Sequence, residues 1–271
     1  MSDFQLFNLD KILAVADKYS AQFYQGALYT IAIALGSVLA GLIIALIILP
    51  FRRLDTKNTY TIKFIDSENK VVLTIIKIVE ILIKIATYVL KFIANAYVEV
   101  IRGTPVLVQI FIIYWGVTPI FSPFIPSVMW FGFIDTARYI PGIITIGINC
   151  GAYISEILRA GINAVDRGQS EAARSLGMTS TQTMTNIILP QAIKNILPAL
   201  ANEFVTVIKE SSILYVIGIN EMMNVAKTIG SATYSPIEGY VVAAVIYFAM
   251  CFTTSKIIAY FERRMSSGDR R

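Results

Sequence analysis

The polar side chains with chemical reach in this sequence stand mostly inside its apolar stretches. Asn195, Asn202 and Lys209 recur at every seventh position, with Glu203 and Glu210 beside them. Thr145, Asn149 and Glu156 fall within about one face of another helix, and Gln109 follows Arg102 by one heptad. Ionisable groups at membrane depth are costly, so they face a bundle interior or a water-filled cavity. Two uses fit them: lining a path for a polar solute, or tying helices together through carboxamides and ion pairs. Asn149, Gln109 and Asn195 fit the tie at least as well as the path, and Glu156 with Arg159 fits an interfacial pair. Asn202 and Glu203, flanked by "AL" and "FV", read as cavity lining. Catalysis has little support. The chain contains no histidine, which removes the commonest general base and metal ligand. Glu203 and Glu210 form an acid pair with Lys209 close by, yet no nucleophile or substrate-positioning motif accompanies them. No catalytic residue, cofactor site or metal site is assigned. Cys150 and Cys251 lie in apolar runs, where a thiol acts as a small hydrophobe.

The elements that must carry these groups follow from hydropathy. Of 271 residues, 56% are hydrophobic and 15% charged, a composition that predicts an all-α, polytopic membrane helix bundle. Residues 24–49 are free of charge and are followed at once by Arg52 and Arg53, which marks a first span with a cytoplasmic end. Residues 1–23 lack the basic-then-apolar order of a cleavable signal and are expected to remain as an external segment. Residues 103–134 are also free of charge but are interrupted by Pro119, Pro123 and Pro126. They predict a helix over 104–117, extended backwards through "ANAYVEVIR", then an external or re-entrant loop. Further spans are expected at 139–158, 188–211 and 239–260, the last running into a cytoplasmic tail at 266–271. Five spans put the N-terminus outside and the C-terminus inside. The cations agree, since outside the spans only Lys11, Lys18, Arg138 and Lys227 fall on the external side. The net charge of +5 therefore reads as membrane orientation, not nucleic-acid binding.

Residues 54–93 form a long cytoplasmic connection. Within it, residues 71–96 are apolar apart from a stripe: Lys70, Lys77, Glu80, Lys84 and Lys91 fall in a sector of about 80° at 100° per residue. The pattern predicts an amphipathic helix in the cytoplasmic interface, its lysines toward anionic headgroups. A sixth span with the stripe packed inward is the alternative.

One polar, helix-forming stretch, "GQSEAARSLG" at 168–177, separates two spans on the cytoplasmic side. Ser170 can cap a helix beginning at Glu171, and Gly177 can end it in the left-handed conformation. Thr179 or Ser180 can cap "TQTMTNIIL", and Pro190 marks the entry to the next span. The result is a helix-turn-helix that exposes Glu171, Arg174 and Ser175 beside a small-residue patch at Ala172 and Ala173. A docking surface and a plain polar connector both fit it.

The longer stretch "GQSEAARSLGMTSTQTMTNIILPQAIKNILPAL" resembles the coupling-loop motif of the membrane-spanning subunits of bacterial ABC importers, nearest the polar amino acid permease branch. "AYVEVIRGTPVLVQIFIIYWG", "GAYISEILRAGINAV", "NEFVTVIKESSILYVIGINEM" and "SATYSPIEGY" are similar to the same branch. The resemblance covers residues 94–265 well and 23–53 loosely, and departs at 54–93, where members have a shorter connection. It implies a type I ABC importer transmembrane domain over 24–265, with residues 161–190 as the coupling loop. Glu171, Ala172, Ala173 and Gly177 match the motif positions that seat on a cytoplasmic ABC ATPase dimer. It also implies a second permease subunit, an extracytoplasmic amino acid-binding protein and a bacterial plasma-membrane location. ATP and Mg would belong to the partner ATPase, since no Walker A pattern occurs here. The expected cargo is a polar or basic L-amino acid, and the candidate path residues are Asn202, Glu203, Asn149, Glu156 and Gln109. The rival class, a secondary transporter or channel, could use the same polar stripes but would not need an exposed docking helix.

Overall fold

The computed structural model describes residues 8–54, 70–124, 127–130 and 134–266. Residues 1–7 of the external segment, 55–69 of the connection, Pro126 and the tail from 267 lie outside them. Helix α1 (Leu9–Lys18) is capped by Asn8, whose Oδ1 accepts from Lys11 N at 3.2 Å. After the single residue Tyr19 comes α2 (Ser20–Arg52), uncharged until its last residue. Helix α3 (Lys70–Gly103) runs without reversal through the striped segment. Helix α4 (Val106–Phe111) continues through a π-helical stretch (Ile112–Val117), α5 (Thr118–Phe121) and a 3-10 turn (Ser122–Phe124). Strands β1 (Met129–Trp130) and β2 (Ile134–Asp135) pair antiparallel and lead into α6 (Thr136–Asn163). Helices α7 (Arg167–Ser175) and α8 (Ser180–Thr183) precede a π-helical stretch (Met184–Ile188) and α9 (Leu189–Glu210). A 3-10 helix (Ser211–Ile217), α10 (Met222–Thr233) and α11 (Pro236–Ser266) complete the chain.

Two expectations about these elements need correction. The helix expected at 104–117 is not continuous with "ANAYVEVIR": α3 stops at Gly103, and Pro105, extended at ψ 135°, caps α4. Proline supplies no N–H and disfavours a helical residue before it. The helical path also runs on to Phe124, past the expected start of the loop. Pro119 falls in the first turn of α5, where its missing N–H costs nothing. Helix α10 was not anticipated. Among the described residues four helices are long and apolar enough to cross a membrane: Ser20–Arg52, Val106–Phe124, Thr136–Asn163 and Pro236–Arg264. Helix α9, at 22 residues, has the length but carries Lys194, Glu203, Lys209 and Glu210.

The bundle is organised about α2 and α6. Ser37, Gly41 and Ala45 recur every fourth residue on α2, as do Gly147, Gly151 and Ser155 on α6, and all are buried. Small residues at that spacing let two backbones approach closely, which is the main source of helix association where lipid is as apolar as leucine. A Cβ on Gly41 would overlap Cys150 Sγ and come within 2.9 Å of Gly151 N and 3.0 Å of Gly147 O. Cys150 Sγ lies 3.2 Å from Ser37 O, so the thiol fills the seam as a small buried group. Helix α9 packs against both α6 and α2, and a Cβ at Gly161 would collide with Ile196.

Gly41→Ala should lower the thermal midpoint of the purified protein by several degrees, since overpacking a close contact costs about 1–3 kcal/mol. Gly116→Ala, where a Cβ would meet nothing within 4 Å, should leave the midpoint unchanged. Equal midpoints for Gly41→Ala and the parent would show that the seam has slack.

Candidate functional site

The loop between α6 and α9 is rigidly built. Asp166 begins α7 by accepting from Gly168 N at 2.6 Å, so the helix starts earlier than a Ser170 cap would allow. At its end Met178 N donates to Ala173 O (3.1 Å) and Gly177 N to Arg174 O (3.0 Å), with Gly177 at φ 84°. This pair of bonds is a Schellman closure, which uses the left-handed conformation expected of Gly177. Thr179 and Gln182 then form a reciprocal capping box. Glu171, Ala172, Arg174 and Ser175 are exposed, as expected, but Ala173 is buried and cannot belong to the surface patch. Its place is taken by Leu176, 84% exposed. It stands at the tip of a turn that is capped on both sides. Its sequence position, one residue before a helix-ending glycine, was the available signal.

The polar groups of the long helices separate into three sets. Gln109 and Asn149 are buried and hydrogen-bonded to each other (Asn149 Nδ2 to Gln109 Oε1, 2.9 Å). Gln109 Nε2 also donates to Ile101 O (2.8 Å), Thr104 O (3.1 Å) and Thr104 Oγ1 (2.9 Å). It therefore satisfies carbonyls beside the break at Pro105, and the Gln109–Asn149 bond ties α4 to α6. Glu156 of α6 is likewise bonded to a neighbouring helix. Its Oε1 accepts from Arg52 Nη2 at 2.5 Å, and its Oε2 from Arg159 Nε and Nη2 at 3.0 and 2.8 Å. Arg102 Nη1 stands 3.8 Å away, its guanidinium over the Tyr153 ring. Arg52 donates further to Asn95 Oδ1 (3.1 Å) and Ser155 Oγ (3.0 Å), joining α2, α3 and α6 at one end of the bundle. Asn202 and Glu203 form the third set. Asn202 is exposed and Glu203 is half-buried on α9. Among the described residues Glu203 has no hydrogen-bond or ion-pair partner, and Glu210 is near enough for the two carboxyls to repel.

At the opposite end, Glu221 was missed because nothing in its neighbourhood distinguishes it from a surface acid. It is fully buried, caps α10 by accepting from Met223 N and Asn224 N (both 2.8 Å), and accepts from Tyr247 Oη of α11 at 2.7 Å. Met222 N donates to Thr30 Oγ1 of α2 beside it. Burial pushes the Glu221 carboxyl up to about 7, with the hydrogen bonds from Met223, Tyr247 and Asn224 pulling the other way.

The described residues form a bundle of long apolar helices with an exposed, doubly capped helical turn. Residues 87–267 match the binding-protein-dependent transport system inner membrane component family. The chain belongs to that family, the multi-pass membrane components of ABC importers, in which ATP hydrolysis resides on a separate subunit. It is 40% identical over 196 residues to the arginine transport system permease protein ArtQ of Bacillus subtilis strain 168, covering 72% of this chain and 84% of that one. It is 39% identical over 177 residues to the putative glutamine transport system permease protein GlnP of Rickettsia typhi (strain ATCC VR-144 / Wilmington), covering 65% and 76%. The crystal structure of an amino acid ABC transporter with histidines superposes with a TM-score of 0.70 at 38% identity, covering 91% of this chain and 95% of that one. The inward-facing MetNI methionine ABC transporter shares the fold, with a TM-score of 0.59 at 16% identity over 90% and 97%.

The buried cap gives a pH test. Because Glu221 binds its proton more tightly folded than unfolded, its stabilising contribution is complete below about 4.5 and is lost as pH rises through about 7. The difference is on the order of 3 kcal/mol. The thermal midpoint of the parent should fall between pH 5 and 8, and that of Glu221→Gln should fall much less. Parallel curves for the two proteins would show that another group titrates.

Proposed function

We propose that this chain forms the translocation path of an ATP-driven importer of polar or basic L-amino acids and is driven through residues 161–190. The observation that carries the coupling role is the exposed turn with Glu171, Arg174 and Leu176 held between two rigid caps. The cargo class is supported by the relatives, whose names specify arginine and glutamine. A third, 38% identical over 174 residues, is the nopaline transport system permease protein NocM of Agrobacterium fabrum (strain C58 / ATCC 33970).

In this reading the chain crosses the membrane five times, with α9 as the crossing that carries charge. The N-terminus lies outside, and the Arg52–Glu156 cluster, the α7 turn and the C-terminus lie in the cytoplasm. The partners are a cytoplasmic ATPase dimer, a second permease subunit, identical or related, and an extracytoplasmic amino acid-binding protein. Leu176 enters an apolar recess of the ATPase, Glu171 meets a basic group there, and Ala172 allows close approach. The decisive experiment is uptake in vesicles holding the assembled complex. Uptake that fails on ATP depletion with the ion gradient kept supports the importer, whereas uptake that follows the gradient alone returns the chain to the secondary transporter class.

Burying a leucine contributes about 1.5–3 kcal/mol, so Leu176→Asp should weaken attachment of the ATPase by tenfold or more. Glu171→Lys should leave the complex inserted but depress substrate-stimulated ATP hydrolysis. Parent-like attachment and stimulation in both variants would remove the turn from coupling.

Glu203 and Glu210 of α9 both lack a hydrogen-bond or ion-pair partner among the described residues, and an ionised carboxylate can only accept hydrogen bonds, which suits an ammonium or guanidinium. Glu203→Gln should reduce the initial uptake rate several-fold at saturating receptor. Glu210→Gln, one residue from Lys209 and nearer the outer end of α9, should reduce it less. Basal ATP hydrolysis serves as the control for assembly, and parent-like uptake by Glu203→Gln would leave that residue a packing group.

A further inference from the structure

Helix α3 has two parts with different surroundings. From Thr74 to Leu90 no residue is buried by the rest of the chain. Contact begins at Lys91, whose Nζ donates to Leu54 O at 2.8 Å, just beyond the end of α2. It continues through buried Ala94 and Val98, the Asn95 bond to Arg52, and Tyr97 Oη donating to Ile148 O at 2.6 Å. The exposed part therefore begins where α2 ends. It also begins before the family match at residue 87, so Lys70, Lys77 and Lys84 stand outside the shared domain.

We propose that this exposed part of α3 binds anionic phospholipid of the cytoplasmic leaflet, taking phosphate headgroups along its lysine ladder and acyl chains on its apolar arc. The proposal rests on the orientation given above, with the end of α2 in the cytoplasm. Lys77 and Lys84 stand seven residues apart within this exposed part, a spacing that the sequence continues to Lys70 and Lys91. That spacing sets them about 10 Å apart along the axis and only about 20° apart around it. Glu80 is the single acid in the stripe, so the strip is strongly cationic. The rest of the circumference is apolar: Ile75 is 56% exposed, Leu82 59%, Ile85 55%, Val89 49% and Phe92 73%.

The breadth of that arc selects the occupant. A packed partner helix covers roughly a 100° face, whereas the apolar arc spans most of the helix and meets the lysines on both sides. Whatever face one protein covered, the remainder would stay in water, which contiguous apolar surface of this extent does not do. A leaflet covers all of it at once and supplies acidic headgroups along the whole ladder. Helix α3 continues from Lys70 to Gly103 without interruption.

The test uses the permease assembled with its ATPase subunit in discs of phosphatidylcholine and phosphatidylglycerol. Each lysine at an anionic surface strengthens association by about fivefold. Selective retention of phosphatidylglycerol after solubilisation should therefore fall by about tenfold or more in Lys77→Gln/Lys84→Gln, and be unchanged in Lys11→Gln/Lys18→Gln. Spin labels at Leu82→Cys and Lys84→Cys, in a Cys251→Ser background with Cys150 buried, report depth. The label at 82 should be relaxed by oxygen in the lipid and not by an aqueous nickel chelate, and the label at 84 should be reached by the chelate. Undiminished retention in the double variant overturns the proposal. So does a label at 82 reached by the chelate, which places the helix in water, or by neither agent, which places it against protein. ATP-driven uptake by the parent in the same membranes is scored separately. Failure of the lipid tests with uptake intact leaves the importer reading standing, and failure of uptake with the lipid tests met leaves the lipid surface standing.

Discussion

The close approach of α2 and α6 is the constraint on which the arrangement depends. Gly41 and Gly147 have no room for a Cβ, and the helices meet backbone to backbone. Bringing them that close puts Arg52, at the end of α2, against Ser155 and Glu156 near the end of α6. It also places Gly151 beside the Tyr97 hydroxyl of α3, where a Cβ would stand only 3.1 Å from the oxygen. The end of α6 from which α7 hangs is thus held by a chain of contacts beginning with two missing side chains. A medium as apolar as leucine gives no hydrophobic reward for helix pairing, so packing and polar ties must supply it.

The polar residues inside the bundle largely discharge obligations that the backbone creates. Ending α3 at Gly103 and restarting at Pro105 leaves carbonyls that would cost several kcal/mol each in hydrocarbon. Gln109 returns its carboxamide to Ile101 and Thr104, and its own carbonyl is met by Asn149. Glu221 does the same for the start of α10. Carboxamides and acids of this kind look functional in a sequence because they are rare in apolar stretches. Their geometry makes them conditions of folding.

How much was legible follows from which physics is local. The long helices showed in the sequence because hydrocarbon demands about twenty apolar residues in a row. Gly177 and Thr179 were legible because helix ends use few residue types. Ser170 failed as a cap because Asp166, four residues earlier, could start the same helix, and propensity cannot choose between two good caps. Ala172 and Ala173 look identical in sequence, yet one is exposed and one buried, a difference decided by the turn Met184–Ile188 beneath them. The role of Glu156 was half-legible: Arg159, three residues on, was visible, while Arg52 lies more than a hundred positions away. Helix α10 carries Met222, Ala226 and Ile229 toward the bundle, but its "TIGSAT" offers too weak a period to separate it from a loop.

The carboxyls Glu156 and Glu203 differ in their surroundings. Glu156 is bonded to Arg52 and Arg159, with Arg102 close by, so a cationic solute would have to compete with two or three fixed cations for one carboxylate. Such a group holds helices and repels cargo of its own partners' sign. Glu203 has no fixed cation, although Lys209 lies six residues along the same helix and is exposed. A half-buried carboxyl without a counter-ion is costly at rest, and a solute ammonium or guanidinium that meets it removes that cost for the time it is bound. Fixed cations surround Glu156, whereas among the described residues none is paired with Glu203.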